Sequence, residues 1–262
     1  MSITKLDFEL AKAAHKLVKD ILKISRNEEV VITADTLSDF NVVNAVARAV
    51  KIAGGKPLIA IYSTPIGVGK AIDSFIPLKS LSSLLSSADV WIELNKMWLL
   101  YSTPYEIALK ENPRLRYICL VGIDSDSMAR LIGRIDIELM YRFQRKLAEV
   151  TSRAKRFRII TPAGTDIVFE NDPSRPVLVE GEISGPGEYM LFGQVDWAPI
   201  EEIINGTIVF DGSVWPPEEL GLLREPIKLY IEKGKIVSIE GGREAKIFEK
   251  WLKSFNDPKM FY

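Results

Sequence analysis

Hydrophobic positions recur at helical spacing through residues 5–24, where Leu10, Ala14, Leu17, Ile21 and Ile24 form one stripe, and this predicts an amphipathic helix. The run EEVVIT at 28–33 is rich in β-branched residues and predicts a buried strand. Asp35, Ser38 and Asp39 offer caps for a helix over 41–53, which Gly54-Gly55 closes. The alternation then continues with strands at 57–62, 89–94 and 117–121 and helices at 78–86, 104–110, 128–132 and 136–154. Strands separated by helices at this spacing argue for a parallel sheet with crossover helices. Beyond residue 154 the pattern changes. Strands at 158–161 and 166–170 flank the turn Pro162-Ala163-Gly164-Thr165, and further strands follow at 177–180, 203–210, 227–232 and 236–240. A final helix over 243–255 sets Phe248, Trp251, Leu252 and Phe255 on one face. The sequence therefore predicts an α/β domain over 1–155, then an α+β domain with mostly antiparallel strands over 156–262.

Composition narrows the function classes. The net charge of −1 gives no basic footprint for nucleic acid. Cys119 is the single cysteine, so no internal disulfide is available. Residues 1–24 are charged throughout, unlike a secretory leader, and no run of 18 apolar residues exists, so a cytoplasmic chain with no membrane segment is expected. Glutamine occurs only at Gln144 and Gln194 beside abundant Lys and Glu, a composition resembling that of hyperthermophile proteins.

One histidine limits the chemistry further. His15 lies about 140° around its helix from Leu10, off the buried stripe, and reads as a solvated side chain. A metal site must then draw on carboxylates. Residues 176–223 carry nine of them and no Lys or Arg, and carboxylates crowded without cations favour a bound metal ion or an ammonium group. Solvated strand edges are the competing explanation. Within the tract, Pro199-Ile200-Glu201-Glu202 is the sharpest element: at the start of a strand, Glu201 and Glu202 would face opposite sides. Asp196, Glu202 and Asp211 are candidates for one oxygen-ligand cluster. Gly67-Val68-Gly69-Lys70 resembles a phosphate loop, but Ala71 stands where Ser or Thr is needed. Asp124 and Asp126 read as helix caps beside Ser125 and Ser127, and Trp91, Met97, Trp98 and Leu99 as core or interface.

Taken in order, EEVVITAD, AGGKP, TPAGTDIVF (161–169), PIEE (199–202), NGTIVFDGS (205–213) and PIKLYIEKGKIVSIEGG resemble the aminopeptidase T family of metallopeptidases and its ring-cleaving relatives, the 2,5-dihydroxypyridine dioxygenases. The resemblance implies a metal ligand three residues after Pro199, which is Glu202, with Glu201 as the neighbouring candidate. It implies zinc, manganese or cobalt in a two-metal aminopeptidase-like hydrolase acting on a peptide or small molecule, and this is the leading expectation. The alternatives are an iron-dependent ring-cleaving dioxygenase and a non-catalytic binding or assembly protein on the same scaffold. A homodimer is also implied, with Trp98 or Trp215 as candidate contacts. The family's other ligands, a glutamate with several histidines and aspartates, lie past Tyr262, so the second domain reads as incomplete at its carboxy terminus. As given, the chain is not expected to catalyse the family's reaction.

Overall fold

The computed structural model describes residues 5–262 and separates them into two compact units. One comprises the chain up to Arg145 together with Val179–Gln194; the other comprises Lys146–Leu178 together with Val195–Tyr262. In the first, α1 (Lys5–Lys16) continues to Ile21 through a widened turn, in which the Leu22 N–H reaches the Leu17 carbonyl at 2.8 Å. Then β1 (Glu29–Asp35), α2 (Phe40–Ile52), β2 (Lys56–Tyr62), α3 (Leu78–Ser86), β3 (Val90–Glu93), α4 (Thr103–Glu111) and β4 (Arg116–Cys119) alternate as the spacing predicts. The short helix α5 (Ser125–Met128) and the long α6 (Ile137–Arg153) follow.

Alternation along the strands assigns each side chain to one of two apolar layers. Val30, Ile32, Val90 and Ile92 pack with Leu10, Leu17, Val43 and Val46 on one face of the sheet. Val31, Trp91 and Tyr117 pack with Leu81, Leu85 and Ala108 on the other. Every residue of β1 after Glu29 is buried, the signature of a central parallel strand covered on both faces.

The chain continues through β5 (Arg156–Ile160), β6 (Asp166–Glu170), β7 (Leu178–Val179) and β8 (Gly187–Met190). The first unit's sheet has the order β2-β1-β3-β4-β8 and is parallel throughout. β8 is absent from the sequence prediction, because its four residues, Gly-Glu-Tyr-Met, carry too short a pattern to register. Of the three candidate caps for α2, Asp35, Ser38 and Asp39, the last is the one used. Asp39 caps that helix, accepting from the Asn41 N–H at 2.9 Å.

The second unit is completed by β9 (Val195–Asp196), β10 (Asn205–Phe210), β11 (Ser213–Val214), β12 (Gly221–Leu222), β13 (Ile227–Glu232), β14 (Lys235–Glu240) and α7 (Arg243–Ser254). Its main sheet has the order β14-β13-β10-β6-β5, and every pairing is antiparallel. The expected α/β then α+β class is what the chain adopts. Ala245, Phe248 and Leu252 of α7 cover Ile227 and Leu229 of β13. Gly206, second in β10, has a φ of +131°, and a Cβ there would fall on the Asp166 carbonyl of β6. The glycine in the NGTIVF stretch is thus a requirement of sheet packing. No helix among the described residues is long and apolar enough to cross a membrane.

Candidate functional site

The residues singled out from the sequence come to rest in different places. His15 is exposed, as its helical position indicates. Lys70 of the glycine-rich stretch is ion-paired with Glu106 rather than poised over a phosphate loop. Asp124 caps α5, accepting from the Ser127 N–H at 2.8 Å, and Asp126 pairs with Arg130 at 2.7 Å. Trp91 and Leu99 are fully buried, whereas Trp98 and Trp215 are partly exposed.

The PIEE element departs from the expected strand. Glu201–Ile203 is a single tight helical turn before β10, so strand alternation does not apply, and both Glu201 and Glu202 are exposed. Glu201 is not an open ligand. It receives Nη1 and Nη2 of Arg175 on its two oxygens at 2.8 and 2.9 Å, a bidentate pair that holds its carboxyl below the usual range. Glu202 lies in the field of the same Arg175 without the bidentate contact. Asp211 is exposed and Asp196 half-buried. Nowhere among the described residues do three His, Cys, Asp or Glu side chains converge as a metal site. The acidic tract is divided as well: Glu182 pairs with Arg145 and Glu188 accepts from the Tyr105 hydroxyl in the first unit, whereas the PIEE turn belongs to the second.

Beside that turn the second unit has a cavity of about 500 Å³, bounded by the end of α6, residues 171–177 after β6, and Trp197 with Ala198. Local chemistry explains its walls. Pro173 and Pro176 stiffen the 171–177 segment. Asp172 closes an Asx turn, accepting from the Ser174 N–H at 2.9 Å and the Ser174 hydroxyl at 2.7 Å, which lowers its pKa. The Arg175 guanidinium also donates to the Pro199 carbonyl, so one side chain joins this segment to the PIEE turn. Phe157 lies between Phe169, stacked at 5.3 Å, and the Trp197 indole at 5.6 Å. Asn171 is buried; its N–H donates to the Lys155 carbonyl at 2.9 Å, and its Nδ2 to the Thr151 carbonyl at 3.0 Å.

Sequence reasoning missed Asn171, Arg175 and Trp197. Arg175 lies immediately before the cation-free tract, so counting charge from residue 176 left out the cation that answers Glu201. Replacing Arg175 with Met is expected to return the Glu201 pKa toward the ordinary carboxylate range. Carboxyl-carbon NMR titration of Glu201 in the native and Arg175→Met chains checks this, and an unmoved Glu201 would show that another group holds it.

A sequence profile of one family, described as NicX, 2,5-dihydroxypyridine 5,6-dioxygenase, matches residues 12–262. The chain is 27% identical over 263 residues to the 2,5-dihydroxypyridine 5,6-dioxygenase of Pseudomonas putida KT2440, covering 94% of this chain and 72% of that one. The solved structure of the Pseudomonas putida KT2440 dioxygenase superposes with a TM-score of 0.74 at 23% identity, over 98% of this chain and 74% of the other. Wild-type AmpT of Thermus thermophilus superposes with a TM-score of 0.60 at 14% identity, over 98% and 76% of the two chains, a likeness of fold alone. The family match and the curated relative overturn the leading expectation of a metallo-aminopeptidase hydrolase. The error has a clear source: both solved structures share this scaffold.

Proposed function

Since this chain belongs to the NicX, 2,5-dihydroxypyridine 5,6-dioxygenase, family, we propose that it serves the oxygenative opening of a hydroxylated pyridine-type ring. The observation that carries this reading is the continuous family match from residue 12 to residue 262. A metal cofactor goes with the family's chemistry, and iron is the metal we assign. The described residues do not fit such a centre, because no three donors converge and Glu201 already holds a guanidinium. Glu202, exposed on the same turn, is the carboxylate we propose to meet the ion. The part assigned to this chain is accordingly the ring and its surroundings.

The missing donor set favours a second reading, a protein that binds such rings without turning them over. An oxygen electrode separates the two. With 2,5-dihydroxypyridine and ferrous ion, the first reading expects one dioxygen consumed per ring lost, followed in parallel by the ring's ultraviolet absorption. Protein carrying stoichiometric iron that consumes no oxygen overturns it, and ring binding under those conditions supports the second.

A further inference from the structure

Two residues of the cavity wall each carry a covered polar atom without a partner. Asn171 is nine-tenths buried and its Oδ1 accepts from nothing; the Trp197 Nε1 is likewise closed off and donates to nothing. The Asn171 amide has one sensible orientation. Its Nδ2 faces the Thr151 carbonyl at 3.0 Å, and a flipped amide would set two acceptors against each other. Oδ1 is therefore a lone acceptor, and an indole nitrogen is a donor only. Each carries the full desolvation penalty of an unmade bond, and such groups are few in native proteins. The side chains that carry this acceptor and this donor both line the cavity, while the two atoms themselves are covered.

From this pairing we propose that the cavity is a binding site for the lactam edge of a small planar ring, in which a ring N–H stands next to a C=O. The N–H would donate to Asn171 Oδ1 and the C=O would accept from Trp197 Nε1. A 2-hydroxypyridine presents this edge as its pyridone tautomer, so the inference rests on the family reading for its choice of ring, and on the cavity for its choice of edge. The size agrees, since about 500 Å³ holds one ring with room to spare. Pro173, Pro176, Val177 and Ala198 supply apolar walls for a flat body. Both orphaned atoms are shut from water in the empty chain, so binding has to shift the indole or the 171–177 segment, and tryptophan emission should change with it.

The test is equilibrium binding to the full chain, without iron or oxygen, followed by calorimetry and tryptophan emission. Three arms are needed: 2-pyridone, N-methyl-2-pyridone, which lacks the donor, and Trp197→Phe, which lacks the indole N–H but keeps a flat ring. N-methylation is expected to weaken binding at least tenfold in the native chain. Trp197→Phe is expected to weaken 2-pyridone at least tenfold with unchanged thermal unfolding. The penalty for N-methylation should persist in that variant, because it reports on Asn171. No binding of 2-pyridone at millimolar concentration, equal binding of both ligands, or an unaffected Trp197→Phe overturns the proposal. So does a water molecule bridging the two atoms that no ring displaces. The two readings fail separately: lactam-selective binding without oxygen uptake removes only the dioxygenase, while unchanged turnover and KM in Trp197→Phe remove only this site.

Discussion

Replacing Asp35 with Ala is expected to destabilise the first unit by about 3–5 kcal/mol, close to the full stability of a small domain. Asp35 ends β1, fully buried, and its carboxylate gathers segments that follow three different strands. Oδ1 accepts from the Leu37 N–H at 2.9 Å and the Thr64 hydroxyl at 2.9 Å; Oδ2 accepts from the Lys96 and Met97 N–H groups at 2.7 and 3.0 Å. Hydrogen bonds to a charged acceptor contribute roughly 1.5–3 kcal/mol each, and water reaching the exposed residues Leu37 and Lys96 recovers part of the loss. Asp35→Asn should fall between, near 2–3 kcal/mol, since an amide can accept on only one side and turns its NH₂ toward donors on the other. Urea unfolding followed by circular dichroism measures both. A loss below about 1 kcal/mol in Asp35→Ala would show that water replaces the carboxylate.

Asp35 also marks how far sequence reasoning reached. Its residue type before a helix suggested a cap, because capping is a local pattern and depends on residues two or three positions away. Besides the local Leu37 N–H, it also binds Thr64, Lys96 and Met97, which lie 29, 61 and 62 residues along the chain, and nothing in the local pattern records those. The same division holds elsewhere. The parallel sheet was legible because EEVVIT and its successors repeat a periodic signal, whereas the return of Gly187–Met190 to pair with β4 is a long-range event without one. At the candidate site, PIEE was legible as a motif and the Arg175 pair was not, since an ion pair across 26 residues has no periodicity. Asn171 and Trp197 matter only through what they fail to bond, a property of the folded chain alone.

The second large effect concerns pH. Glu93 ends β3 and is fully buried, accepting from the Leu99 N–H at 2.6 Å and from the Tyr117 hydroxyl. Tyr117 is itself stacked on Trp91 at 4.0 Å, whose indole donates to Thr33 at 2.9 Å, so the carboxyl has little room to move toward water. Burial pushes its pKa up from 4.5 to about 7, with the Tyr117 and Leu99 hydrogen bonds opposing and the nearby Asp35 charge adding to the rise. Between those values the unfolded chain has released the proton and the folded chain retains it. Stability from this group is therefore complete below pH 4.5 and is lost as pH rises through about 7. At 1.36 kcal/mol per unit, the span corresponds to about 3 kcal/mol. Glu93→Gln keeps an acceptor for Leu99 and gives the Tyr117 oxygen an N–H, but does not titrate. The stability of Glu93→Gln relative to the native chain should therefore rise by about 3 kcal/mol between pH 4.5 and pH 8.5. Unfolding both chains in urea across that range is the measurement. Parallel curves would mean that Glu93 is already ionised in the folded protein at pH 5, and that its two donors outweigh the cost of burying the charge.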